Sequence, residues 1–147
     1  MRYFLTCLFV LLLHNNRQVE EKILIEMREE ILYPTPQEVA DYILFAQILY
    51  PEIVLKQAIL ETGWFKSKLY LQSKNLFGFR YKKTYMKFKS WQQCIDYYKR
   101  WQQRKYLDIH EDYYDFLIRI KYASSTQYIQ TLKGVDISNI NLEVCYE

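Results

Sequence analysis

Glycine and proline are scarce, with three of each in 147 residues. So few chain breakers exclude a turn-rich all-β architecture and point to helices joined by short connections. Histidine is as rare: only His14 and His110 occur, so a zinc site or a histidine-dependent nucleophilic triad lacks its residues. The cysteines, Cys7, Cys94 and Cys145, form no C-x-x-C pair, and neither a metal nor another cofactor is expected. Long apolar runs are missing too. The longest, Tyr3 to Leu13, is 11 residues, too short to span a bilayer but of the length of a secretory h-region.

Tyrosine, by contrast, is abundant, at 15 residues. A tyrosine offers an apolar face and a polar tip, so these residues suit core, rim or groove. Half of the chain is hydrophobic and a quarter charged, with a formal net charge of +3. That balance fits a globular domain with mild attraction to anionic polymers. Lys82, Lys83, Lys87 and Lys89 cluster around an expected hairpin, where a solvated edge accounts for them as well as a binding patch does.

The organisation expected is an export signal over residues 1–16, a helical extension or linker over 17–35, one domain over 36–134 and a tail over 135–147. No A-x-A cleavage pattern follows the apolar run, and a buried N-terminal helix is the competing reading. Export places the protein in the periplasm, in the cell envelope or outside the cell. Removal of the signal leaves Cys94 and Cys145 either to pair as a disulfide or to stay as two thiols.

Thr35 and Glu38 form a capping box with Pro36 at the first helical position, opening a helix to about Leu49 that buries Val39, Ile43, Leu44 and Ala46. Pro51 starts the next helix. Its Val54, Leu55, Ala58 and Ile59 recur at core spacing, and Gly63 is its expected left-handed stop. Gln57 and Glu61, four apart, share a different face. Glu61 therefore sits in the last turn, where the helix dipole and the neighbouring Leu60 and Trp64 both push a carboxyl pKa upward, as a general acid requires.

A short helix over Phe65–Leu71 is expected next, then a strand over Asn75–Tyr81 with Thr84–Lys89 returning antiparallel. Gly78 inside that strand predicts a bulge or a close approach of a ligand. Ser90 with Gln93, and Ser124 with Gln127, form further capping boxes for helices over Trp91–Arg104 and up to Leu132, with another helix over Glu111–Lys121. Trp91 and Trp101, ten apart, are expected in the core. The fold class is α+β, mostly helical, with one small β-hairpin lobe.

Gln57-Ala58-Ile59-Leu60-Glu61-Thr62-Gly63-Trp64 with Ser67, then Asn75-Leu76-Phe77-Gly78-Phe79-Arg80, resemble the two signature blocks of glycoside hydrolase family 73, the glucosaminidase-type peptidoglycan hydrolases. Lys89-Ser90-Trp91 into Asp96-Tyr97-Tyr98, Arg104-Lys105-Tyr106, and Tyr122-Ala123 followed by Tyr128 and Leu132 resemble the later blocks. The resemblance implies a lysozyme-like fold and hydrolysis of a β-1,4 bond at N-acetylglucosamine in peptidoglycan. It implies Glu61 as general acid and Tyr122 as the aromatic facing the catalytic centre. Trp64, Asn75, Phe77 and Gly78 follow as substrate-binding wall and floor. Gln57 is grouped with them, with support of Glu61 as its more natural part.

One departure stands out. No acidic residue lies between Phe77 and Ser90, where the family often carries a second carboxylate. Asp96 reads as a surface residue. Either the substrate's own N-acetyl group supplies the nucleophile, or a distant carboxylate such as Asp108, Glu111 or Asp112 serves, or activity is low. A non-catalytic glycan-binding module of the same fold is the alternative reading. A basic aromatic nucleic-acid binder is the weakest one, so no nucleic acid, no stable membrane span and a monomer are expected.

Overall fold

The computed structural model describes residues 16–24, 33–122 and 126–143. Two units make up the chain, Met1–Tyr33 and Pro34–Glu147. In the first, residues 16–24 are helical (α1) and exposed, Val19, Ile23 and Leu24 included. The expected signal over 1–16 falls outside the described residues except for its last position, as do Ser124 and Cys145. Among the described residues, no helix is long and apolar enough to cross a membrane.

The second unit begins with α2, Pro36–Phe45. Its capping box is formed as expected: Thr35 Oγ1 accepts from Glu38 N–H, and the Glu38 carboxylate accepts from Thr35 N–H at 2.6 Å. The helix ends earlier than Leu49 because Gln47 and Tyr50 take left-handed φ of 53° and 56°. Gln102 secures that turn, donating from Nε2 to Leu49 O (2.9 Å) and accepting at Oε1 from Leu49 N–H (3.1 Å). Helix α3, Pro51–Thr62, then buries Val54, Leu55, Ala58 and Ile59, the face expected from their spacing.

Three further helices complete the lobe: α5 (Trp91–Lys105), α6 (Tyr113–Arg119) and α7 (Thr126–Lys133). Helix α2 packs on α3 and α5, while α7 packs on α3 and α6. Ser90 caps α5 by accepting from Gln93 N–H, but the Gln93 side chain reaches back to Lys89 N–H rather than to Ser90. The core is strongly aromatic. Tyr98, Tyr113 and Phe116 are fully buried, and Tyr113 stacks on Tyr50 with centroids 4.7 Å apart.

Between α3 and α5 the chain departs from the expected pattern. The short helix starts later, as α4 over Lys68–Ser73 with Ser67 as its N-cap. Only Arg80–Tyr81 (β1) and Thr84–Tyr85 (β2) pair as strands, antiparallel, with Arg80 opposite Tyr85 and Tyr81 opposite Thr84. Residues 75–79, expected as strand, form an irregular loop. The mostly helical α+β class with one small hairpin nevertheless holds.

Candidate active site

Glu61 is the penultimate residue of α3 and points away from the buried face. Directly after it the chain makes an abrupt left-handed turn, with φ of 57° at Gly63, 59° at Trp64 and 63° at Phe65. Such a conformation costs a non-glycine residue about 1–2 kcal/mol, so two residues here are strained and must be held. Phe65 is held by full burial of its ring and by its N–H donating to Thr62 Oγ1 (2.9 Å). Trp64 N–H donates to Ile59 O (3.0 Å) and Ser67 N–H to Thr62 O (2.9 Å). The turn therefore anchors the helix end that carries the acid.

The loop after α4 is built around Asn75. Its Nδ2 donates to Phe79 O (2.8 Å) and Met86 O (3.1 Å), and its Oδ1 accepts from Phe79 N–H (3.0 Å). The side chain does the work of a strand neighbour, which is why the loop has no ladder of its own. Tyr122 ties the loop from the other side, its hydroxyl donating to Phe77 O at 2.8 Å. Between these ties Gly78 has φ +65°, and a Cβ there would sit 3.1 Å from Glu61 Oε2. Glycine is required at this position for both its conformation and its size. The close approach expected at Gly78 is thus to the acid's own carboxylate.

Glu61, Gly78 and Tyr122 border a cleft of about 460 Å³. Phe77, Phe79, Trp101 and Ile120 supply its apolar lining, and Arg80 and Lys105 its positive charge. Trp101 packs edge-on against Tyr122 and Phe79, with centroids 5.7 Å and 5.9 Å away. An aromatic trough ending in one carboxyl group suits a sugar chain, which offers apolar ring faces and polar edges.

The Glu61 side chain is open to solvent on the cleft side, yet the surrounding protein desolvates its carboxyl group enough to raise its pKa. The Tyr128 phenol acts in the opposite sense by hydrogen bonding towards the carboxylate. Tyr128 is itself pushed up by burial and by the Glu61 charge and drawn down by the Gln57 amide. Neither the Tyr128 hydroxyl nor Gln57 Nε2 closes a hydrogen bond of normal geometry, although both are buried. Gln57 Oε1 is taken by the Tyr98 hydroxyl (2.7 Å). An amide oxygen can only accept, so Tyr113 donates to Tyr98 (2.8 Å), and Gln102 Nε2 donates to Tyr113 (2.9 Å).

The sequence profile of the glucosaminidase family, described as mannosyl-glycoprotein endo-beta-N-acetylglucosaminidase, matches residues 39–141. The chain belongs to this family. No curated protein and no solved structure matches it. Family membership makes it a glycosidase-type domain with a glycan substrate.

Of the site residues expected from the sequence, the cleft brings together Glu61, Phe77, Gly78 and Tyr122. Gln57 and Asn75 are buried and do not line it. Trp64 is 45% exposed and lies outside the lining. Trp101, expected in the core, has one side in the cleft. The candidate second carboxylates are engaged elsewhere. Asp112 caps α6, accepting from Tyr114 and Asp115 N–H, and Asp108 accepts from His110 N–H. Glu111 holds Arg119 through two bonds of 2.7 Å, which lowers its pKa. Asp96 accepts from the Tyr42 hydroxyl. Phe79, Arg80, Lys105 and Tyr128 stand in the family-like blocks of the sequence, which assign them no role, and no local spacing marks Trp101 or Ile120 as site residues.

Among the described residues no cluster of His, Cys, Asp and Glu is placed to hold a metal. Cys94 is buried with a free thiol whose pKa is pushed up to about 12 by desolvation. Its sulfur accepts from Leu76 N–H (3.3 Å), placing it in the scaffold behind the Asn75 loop.

Proposed function

We propose that this glucosaminidase hydrolyses the β-1,4 glycosidic bond at N-acetylglucosamine in peptidoglycan, with Glu61 as general acid. The observation that carries the reading is the single desolvated carboxyl group at the cleft, set against Gly78 by a strained turn. A raised pKa keeps Glu61 protonated closer to neutral pH, ready to give its proton to the leaving oxygen as the C1–O bond breaks.

Glu61 is the one carboxylate among the cleft-lining residues. This favours the substrate's acetamido carbonyl oxygen as the nucleophile. It would bond to C1 as the leaving group departs with the Glu61 proton. Water would then attack C1, return a proton to Glu61 and regenerate the acetamido group. Tyr122 would support the sugar with its ring face, since its hydroxyl is occupied by Phe77 O. The same proposal places the protein outside the cytoplasm, with residues 1–16 as its export signal.

Glu61→Gln should fold normally and release muropeptides from purified peptidoglycan at least about 100-fold more slowly, whereas full activity in that variant would rule out Glu61 as the acid. Mass analysis of the wild-type products identifies the sugar at the new reducing end. The missing second carboxylate also supports a second reading, a glycan-binding module without turnover. That reading requires wild-type protein to sediment with peptidoglycan while generating no new reducing ends.

A further inference from the structure

We propose that Arg80 and Lys105 form a carboxylate-binding subsite in the cleft beside Glu61, selecting a glycan that bears free carboxylates over a neutral one. The inference rests on the reading of this cleft as the glycan site.

Both cations border the cleft, and among its lining residues they face a single carboxyl group. Lys56 pairs with Glu52 and Arg119 with Glu111, whereas neither Arg80 nor Lys105 is ion-paired with a carboxylate among the described residues. Arg80 stacks on its cross-strand partner Tyr85, whose hydroxyl also accepts from Nη2, and the guanidinium lies 4.1 Å from the Tyr85 ring centroid. The stacking orients a planar fork whose geometry matches a carboxylate. Lys105 is the last residue of α5, where the carbonyl end of the helix favours a cation.

Neither cation forms an ion pair with the reacting carboxyl group. Arg80 and Lys105 are therefore left to serve a part of the substrate other than the scissile bond. A polymer of N-acetylglucosamine offers them no anion. Peptidoglycan offers two sources of one chemistry: carboxylates of the stem peptide on intact strands, and the lactyl carboxylate on strands stripped of peptide.

Binding without turnover tests this. Wild type and the double variant Arg80→Gln/Lys105→Gln are sedimented with four insoluble glycans. These are intact peptidoglycan, amidase-stripped strands, peptidoglycan whose carboxylates have been amidated, and chitin. Wild type should bind one or both carboxylate-bearing forms roughly tenfold more tightly than the amidated form, with the preference shrinking as salt is raised. The double variant should lose that preference while binding chitin as wild type does. Preference for intact strands assigns the stem carboxylates, and preference for stripped strands the lactyl group. Equal wild-type affinity for native and amidated peptidoglycan, or an unchanged preference in the double variant, would overturn the subsite. Wild type that binds none of the four would defeat the glycan reading itself and the subsite with it.

Discussion

Two buried side-chain amides, one before Glu61 in the chain and one after it, are used in opposite ways. Asn75 places both polar atoms in hydrogen bonds and closes the loop from Phe77 to Met86. Gln57 gives its oxygen to Tyr98 but leaves Nε2 without a partner, beside a Tyr128 hydroxyl in the same condition. Buried polar groups are normally paired, so an exception calls for a reason. The Gln57 and Tyr128 exceptions lie next to the one carboxyl group of the cleft, while a further one, the Tyr70 hydroxyl, is buried against Phe65 and outside the cleft lining. The Asn75 region is a closed scaffold, while the Gln57 region keeps polar capacity where a proton must move. Native proteins depart from full satisfaction mainly at such sites.

The most forceful way to break this contrast is Glu61→Gln. It should lower the rate of peptidoglycan hydrolysis by about two to four orders of magnitude, the usual worth of a general acid, measured by reducing-end release. Stability should move the other way. The folded-state pKa of Glu61 lies above its ordinary 4.5, so its protonated form favours folding below that pH. This contribution is lost as pH rises through the folded value. Glu61→Gln should therefore melt above wild type at neutral pH and level with it near pH 4, in paired thermal scans. A variant less stable than wild type at neutral pH would contradict the desolvated environment.

Gly78→Ala comes next, because it joins the two regions. A methyl group 3.1 Å from Glu61 Oε2, on a residue with φ +65°, must displace the carboxylate or the loop. Activity should fall roughly 100-fold, the scale for a misplaced reacting group, with about 1 kcal/mol of stability lost to backbone strain. Urea titration and kinetics on one preparation separate the two effects.

Asn75→Ala should instead act through the fold. Removing the side chain strands Phe79 O, Met86 O and Phe79 N–H, for a loss of about 2–4 kcal/mol in denaturant unfolding. A rise in KM at unchanged stability would instead make Asn75 a substrate contact rather than a scaffold residue. The smallest effect is expected from Tyr128→Phe. It removes the group that holds the Glu61 pKa down, so the alkaline limb of the pH–activity profile should move to higher pH with little change in melting temperature. A shift to lower pH would show that Tyr128 does not act on the acid.

Local chemistry made part of this legible in the sequence. The Thr35–Glu38 capping box, the Gly63 helix stop and the core face of α3 each depend on residues within one or two turns. The irregular loop at 75–79 was not legible, since an apolar run with period-two character reads as strand until a distant partner competes. That partner is Met86, whose carbonyl accepts from the Asn75 side chain, so a side chain within the run replaces the strand ladder. Trp101 misled for a similar reason. Its helical spacing from Trp91 says nothing of Phe79 and Tyr122, which arrive from other elements to put one of its faces in the cleft.

Local sequence is enough to end an amphipathic helix in a carboxylate at a glycine turn, within a mostly helical α+β domain. Short-range hydrogen bonds, dihedral preferences and apolar periodicity suffice for that. What surrounds the carboxylate follows from how the elements pack. The tertiary structure brought Gly78 against Oε2, placed Tyr128 beside the acid, and set Arg80 and Lys105 on the cleft wall while turning Asp112 and Glu111 to capping and ion pairing. These groups are remote from Glu61 in the chain, and the desolvation and charge that tune an acid depend on distance in space, which no local pattern encodes.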